Sequence, residues 1–401
     1  MRIAYVTGEY PRATDTFIQR EVGALRERGV EVHTFSVRRT DDVHIVGPEQ
    51  QLERERTFYL LPARPLDLLR AHAKLLLRSP ARYLRALKLA WKIRQPGIRG
   101  HLYQVFYFAE AGILAAQLRA RAIRHLHNHF ANSSCSVSML AAELGGVTFS
   151  FTMHGPAIFF EPKHWRIDVK AEKALFVLCI SHYCRSQGMI FAPISSWDRM
   201  HIVHCGVDPS LFTTALHEGA GTRLLYVGRL AAAKGLRILF ESLRMLDGAQ
   251  RNLVLTVVGD GPDRAALEEM AAEMGLAETV RFTGYQSQSA VRTWLQKTDV
   301  FVLPSFAEGV PVVLMEAMAG GVPVIATRIA GIAELVEDGV SGYLLPPGDA
   351  VSLAQRLGEL MGDPQLRSRL GAAGRAKVET DFDVRREAAS LHRILSGALD
   401  G

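Results

Sequence analysis

The chain has few of the features that stabilise small secreted or membrane-embedded proteins. Its 401 residues include only four cysteines, Cys135, Cys179, Cys184 and Cys205. Their spacings fit no zinc or redox motif, so buried free thiols are expected. No uninterrupted apolar run reaches the ~18 residues that a membrane-spanning helix needs. The opening MRIAYVTGEYP runs directly into a strand pattern without a basic-then-apolar leader, and a cytoplasmic protein is expected. There is no G-x-x-x-x-G-K-[ST] loop and no complete G-x-G-x-x-G, which argues against P-loop and dinucleotide redox chemistry. No short repeat or low-complexity tract interrupts the chain. Hydrophobic residues make up 48% and charged ones 22%, the balance of a globular protein.

Charge is present but unevenly spread. Between Ala63 and Gly100 ten basic residues oppose a single acid, Asp67, so this stretch carries +9 of a net +6 and leaves −3 elsewhere. Such a segment suits nucleic acid, a membrane surface or an anionic substrate. Within it, LDLLRAHAKLLLRSPARYLRALKLAWKIR repeats leucines at helical spacing with Arg and Lys between them, broken at Ser79-Pro80. The pattern predicts two helices, each with an apolar stripe flanked by cations. Two readings stand: a helical layer against a sheet with solvated cations, or a surface that docks on anionic lipid.

Short β-branched runs alternate with amphipathic helical patterns in both halves, which predicts an α/β fold with parallel sheets. Strands are expected at 2–7, 30–37, 125–130, 148–153, 175–180 and 200–204, then at 223–227, 253–258, 280–283, 300–303, 323–326 and 343–345. The break falls near Cys205-Gly206-Val207-Asp208-Pro209, followed by a small, polar linker at Thr213–Thr222. Two similar α/β halves make a cleft between them the natural binding site.

The second half carries the clearest chemistry. LLYVGRLAAAKGL follows a strand with Gly228 and sets Arg229 and Lys234 in a loop that opens a helix. Two cations beside a helix start suit a diphosphate, although a solvated Arg and Lys would read the same way. VVGDGPDRAALE has a Gly-x-Gly turn without the third glycine and reads as a structural turn with Pro262 at a helix start. FAEGVPVVLMEAMAGGVPVIAT places two acids, Glu308 and Glu316, eight residues apart in a stretch that otherwise reads as core. Burying carboxylates is costly unless hydrogen-bond donors meet them. Pro311 suits the first turn of a helix, which puts Glu308 in the loop ahead and Glu316 on or near the buried face. Eight helical residues span ~12 Å, about the reach from a sugar across a diphosphate to a ribose. The vicinal hydroxyls of a sugar nucleotide would meet the acids, and the amides around Gly309, Val310 and Val312 would meet the phosphates.

In the first half, FSFTMHG sets His154 at a strand end, where α/β sheets keep their chemistry. His125, His127 and His129 alternate along one strand and share a face, but no fourth zinc ligand is evident and no metal is expected there. Asp381-Phe382-Asp383 is a formal D-x-D near the C-terminus and reads as incidental.

The E-x7-E pair, the AMA-x-G-x-PV that follows and GI-x-ELV-x-DG-x-x-G-x-L-x-PPGD at Gly331–Asp349 strongly resemble the retaining glycosyltransferases of family 4, over nearly the whole chain. The resemblance implies the GT-B architecture, two Rossmann-like α/β/α domains facing across a cleft. The domains would span 1–205 and 206–378, with a helix at 379–401 returning to the first. It implies that Arg229 and Lys234 bind the donor diphosphate and that Glu316 binds the ribose hydroxyls. Glu308 would bind the hydroxyls of the transferred sugar, beside His154, and these two would be the catalytic residues. VRFTGY, ending at Tyr285, matches the segment ahead of the base, and Gly8 falls in a loop that would face the cleft after the first strand. Many members read E-G-F-G where this chain has Glu308-Gly309-Val310-Pro311, and Pro311 cannot donate an amide. That form, with YPRATDTFIQRE near the start, resembles the branch that builds exopolysaccharides such as colanic acid and amylovoran.

The activity implied is that of a metal-independent, cofactor-free hexosyltransferase working with retention in exopolysaccharide or lipopolysaccharide synthesis. Its donor would be a UDP- or GDP-sugar and its acceptor lipid-linked or a saccharide. An anionic membrane surface would be a partner of residues 63–100, and nucleic acid would not. The alternative is a non-catalytic nucleotide-sugar-binding partner in an assembly complex.

Overall fold

The computed structural model describes residues 1–214, 221–246 and 252–400. Most of the expected linker, 215–220, lies outside the described residues. The first sheet contains β1 (Arg2–Glu9), β2 (Glu31–Arg38), β3 (Phe58–Tyr59), β4 (His125–His129), β5 (Thr148–Met153), β6 (Val177–Cys179) and β7 (Met200–Ile202). Its order is β3-β2-β1-β4-β5-β6-β7. The second contains β8 (Arg223–Val227), β9 (Val254–Val258), β10 (Val280–Gly284), β11 (Val300–Leu303), β12 (Val324–Thr327) and β13 (Tyr343–Leu345), in the order β10-β9-β8-β11-β12-β13. Every strand pair is parallel. Both domains are Rossmann-like.

Apolar composition explains the sheets. Phe301, Val302, Leu303, Val324 and Ile325 are all buried, as expected of parallel strands covered by helices on both faces. Each sequence-expected strand is found, within a few residues at its ends. β3 was missed because two residues carry no periodicity. In both sheets the chain order reverses beside the first strand, between β1 and β4 and between β8 and β11. Such switch points leave a crevice beyond the carboxyl ends of the strands, where ligands bind.

The chain divides into Met1–His204 with Ala388–Gly401, and Cys205–Glu387. Residues 379–387, expected with the terminal helix, belong instead to the second unit. The cause is local: Val207 N donates to Phe382 O (2.9 Å) and Val384 N to Val207 O (2.8 Å). Further along the helix Val384–Asp400, Leu391 and Leu395 pack with Ile3, Val22 and Leu25 in the first unit's core.

The basic segment forms helices Pro65–Arg78 and Pro80–Ile93. They part at Ser79 because a residue ahead of proline is forced out of helical geometry. A third helix follows, Gly97–Ala120. All four cysteines are free and buried. Among the described residues no helix is long and apolar enough to cross a membrane.

Candidate active site

The second switch point is built by backbones that touch. Gly235 has φ +68°, and a Cβ there would lie 2.0 Å from Pro304 O. A Cβ on Gly259 would lie 2.0 Å from Gly228 O, and one on Gly261 2.2 Å from Leu230 O. Only glycine permits these approaches. Hydrogen bonds then lock the loops: Gly228 N donates to Val258 O (2.9 Å), Leu230 N to Asp260 O (2.9 Å) and Phe306 N to Ala233 O (2.7 Å). The incomplete Gly-x-Gly after β9 therefore has a packing role. Pro262 sits in the turn rather than at the helix start, because that helix begins at Arg264.

From this frame the expected residues project. Arg229 is exposed after β8, and Lys234 ends a short 3-10 turn ahead of the helix Leu236–Arg244. Glu308 is 8% exposed in the loop after β11, and Glu316 is 8% exposed within the helix Val312–Ala319. Pro311 precedes that helix instead of occupying its first turn. Among the described residues the amides of Gly309, Val310 and Val312 donate to no backbone carbonyl. They stand at the positive end of a helix dipole, a setting that favours anions. Tyr285 is half-buried just beyond β10.

Two of these residues touch, a contact that the motif spacing does not predict. Lys234 Nζ lies 2.5 Å from Glu308 Oε1, and Ser305 Oγ donates to the same oxygen at 2.7 Å. Thr327 Oγ1 in turn holds Ser305 O at 2.5 Å. Tyr226 donates to Arg229 O (3.2 Å), and its hydroxyl stays protonated because burial, and then the Glu308 charge, push its pKa up. Nothing in the motif spacing signals that Lys234 and Glu308 pair. Their positions on the neighbouring strand ends β8 and β11 do.

The first domain's switch point gathers histidines. His154 follows β5 and is buried, with its Nε2 2.9 Å from His129 Nδ1. Burial, and then the neighbouring His129, hold His154 well below the usual histidine range, so it is neutral near pH 7. His125 bridges Thr148 and Ser150, and His127 bridges Ser150 and Thr152, with every contact at 2.8 Å. The shared face of these histidines is thus a hydrogen-bonded ladder between β4 and β5. Gly8 lies within β1 rather than in a loop after it, because pairing with β2 continues to Glu9 opposite Arg38. Asp381 binds Lys377 Nζ (2.6 Å) and Asp383 accepts from Arg385 N (2.7 Å), so each D-x-D acid has a structural partner.

Two parallel-sheet Rossmann-like domains in this arrangement of strands define the GT-B class. Sucrose-phosphate synthase from Thermosynechococcus elongatus has the same fold, with a TM-score of 0.76 at 20% identity over 99% of this chain and 100% of that one. HepE of Anabaena, solved in complex with UDP and glucose, gives 0.72 at 18% identity over 99% and 100%. Residues 215–377 match the family described as glycosyl transferases group 1. The amylovoran biosynthesis glycosyltransferase AmsK of Erwinia amylovora is 30% identical over 98% of this chain and 99% of its own length. The putative colanic acid biosynthesis glycosyltransferase WcaL of Escherichia coli K12 is 28% identical over 98% and 100%. The chain belongs to the group 1 glycosyltransferases.

The Lys234–Glu308 contact should be measurable without substrate. Lys234 is partly exposed, so Lys234→Met and Glu308→Gln should each cost about 1–3 kcal/mol, less than a fully buried pair. In urea unfolding followed by circular dichroism, the double variant should lose at least about 1 kcal/mol less than the two singles together. Simple additivity would mean that the contact contributes nothing.

Proposed function

We propose that the protein transfers a sugar from a UDP- or GDP-sugar to a lipid-linked or saccharide acceptor, with retention of anomeric configuration, in exopolysaccharide or lipopolysaccharide synthesis. The observation that supports this is the second switch point, where Lys234 after β8 meets the buried Glu308 after β11, with Arg229 in the same loop as Lys234 and the buried Glu316 in the helix that follows Glu308. The names of the amylovoran and colanic acid relatives support the polymer assignment, and the UDP held by HepE supports the donor class.

In this reading the donor diphosphate takes Lys234 from Glu308. A diphosphate carries more charge than one carboxylate and adds Arg229 and the helix amides as partners. Glu308, released, accepts hydroxyls of the transferred sugar, while Glu316 accepts those of the ribose. Gly8 and Tyr285 line the donor, at the sugar and the base respectively, and His154 meets the sugar. As the bond to the anomeric carbon breaks, negative charge grows on the leaving diphosphate. Arg229 and Lys234 stabilise it there, the task that Mg²⁺ performs elsewhere. No divalent ion or other cofactor takes part. The acceptor attacks on the face from which the diphosphate departs, and the leaving phosphate accepts its proton.

Calorimetry separates the two acids. Glu316→Gln should weaken binding of UDP or GDP by about 10-fold or more, the scale of a hydrogen bond to a charged group. Glu308→Gln should leave the free diphosphate bound as well or better, since Lys234 is released, and should weaken only the intact sugar nucleotide. Equal losses on the free diphosphate would contradict the assignment.

In the same reading, residues 63–100 dock on an anionic lipid surface. Each of the three helices from Pro65 to Ala120 turns a second apolar stripe to solvent: Leu69 and Leu77, then Leu84 and Trp91, then Ile98 and Phe106, all more than half exposed. Lys74, Arg78, Arg82 and Lys88 are exposed and form no ion pair among the described residues. Solvated cations alone do not explain exposed leucines at helical spacing, whereas an interfacial helix needs both. Each basic residue near such a surface contributes ~1 kcal/mol. The protein should co-sediment with vesicles containing phosphatidylglycerol at low salt and be released at high salt. Binding indifferent to anionic lipid, or unchanged when Arg78, Arg82, Arg85 and Lys88 become Gln, would remove the docking role.

A further inference from the structure

The TFIQRE segment near the start and the histidine-rich β4 meet at His154. The helix Thr16–Glu27 brings Phe17 to 4.8 Å from the His154 ring, centroid to centroid, and carries Glu21 one turn further on. Four side chains then form a line. Tyr5 donates its hydroxyl to Glu21 Oε1 at 2.6 Å, and that oxygen lies 3.3 Å from His129 Nε2. The other ring nitrogen of His129, Nδ1, lies 2.9 Å from His154 Nε2. Both imidazoles are buried, stacked 5.2 Å apart, and Phe130 closes the far side 4.8 Å from His154. The Glu21 carboxylate is the charged group that His129 Nε2 faces, and that buried nitrogen makes no hydrogen bond among the described residues.

The order of the partners decides where the protons sit. An ionised carboxylate only accepts, so the ring nitrogen facing it is the one that bears hydrogen. In a neutral His129 the proton is therefore on Nε2, and Nδ1 holds a lone pair. The group facing that lone pair must donate, which puts the proton of His154 on its own Nε2. The lone pair of His154 then lies on Nδ1. We propose that Glu21, acting through His129, fixes His154 in the Nε2–H tautomer, so that His154 meets the transferred sugar as a hydrogen-bond acceptor and not as a proton donor. Glu21 and His129 are positioning residues. The sugar contact rests on the function proposed above, whereas the tautomer does not.

This arrangement also separates two kinds of histidine on one strand. His125 and His127 are satisfied by hydroxyls, which donate or accept as needed and dictate no tautomer. His129 alone links a carboxylate to the strand end where His154 stands. Glu21, His127 and His129 have ligand atoms within 4.8 Å of one another and could in principle hold a metal ion. Both nitrogens of His127 are already engaged with Ser150 and Thr152, so a metal would have to break that ladder.

The test is the tautomer itself. Full-length protein with ¹⁵N-labelled histidine, at pH 8 and without substrate, is read by long-range proton–nitrogen correlation, with His129→Gln and His154→Gln assigning the rings. Nε2–H is expected on both His129 and His154. Nδ1–H on His154 would overturn the inference, as would stoichiometric Zn²⁺ uptake that removed the His129 Nε2 proton. Tyr5→Phe combined with Glu21→Leu removes the carboxylate and its donor together. It should mix the His154 tautomers and lower kcat about 10-fold with the donor KM little changed, the scale for losing a partner that orients a functional histidine. An unchanged tautomer and kcat in this variant would also overturn the inference. If His154 is in the Nε2–H form but the wild-type protein turns over no sugar nucleotide, the donor reading fails and the tautomer assignment is borne out.

Discussion

The second domain depends on backbone meeting backbone at the ends of its central strands. Gly235, Gly259 and Gly261 lack the side chains that would otherwise hold the loops after β8, β9 and β11 apart. With those loops in contact, Lys234 and Glu308 come within 2.5 Å although 74 residues separate them in sequence. An alanine at Gly235 would put a methyl group 2.0 Å from a carbonyl oxygen. The site's charges are therefore set by loop packing before any ligand arrives.

Those charges are arranged as a balanced reserve. A lysine and a buried carboxylate satisfy each other, and Ser305 fills a further lone pair of Glu308. Neither charge is left buried without a partner, which would be costly. The same two groups have complementary preferences toward a sugar nucleotide, one for phosphate oxygens and one for hydroxyl protons. The first domain follows a different logic. Its His125 and His154 are neutral and hydrogen-bonded, with burial holding His125 down to about 4 and His154 well below its ordinary range. One domain is thus equipped for anions and the other for uncharged polar groups.

Much of this was legible in the sequence, for identifiable reasons. Parallel strands buried on both faces leave near-continuous apolar runs, so β8, β11 and β13 could be read to the residue, and β5 (TFSFTM) by its alternation. Ser79-Pro80 marked a helix break that is found there. Turn-level details were harder. Gly8 and Glu9 carry no strand signal of their own, and β1 reaches Glu9 because that residue pairs with Arg38 of β2. Pro311 suits a first helical turn by propensity, yet its ψ of 120° keeps it outside the helix. The pairs Lys234–Glu308 and His129–His154 join residues from different strand ends, and no local pattern records them.

The central claim is that Arg229 and Lys234 stabilise the diphosphate as it leaves, in place of a metal ion. It is tested most directly by steady-state turnover of a panel of UDP- and GDP-sugars, in EDTA, by the wild-type protein and by Arg229→Ala and Lys234→Ala. The account predicts that the wild type works in the chelator and that each variant loses ~10²-fold or more in kcat/KM, the scale for removing a contact to developing charge. Near-normal turnover by both variants, or a wild type silenced by EDTA and restored by Mg²⁺ or Mn²⁺, would contradict it.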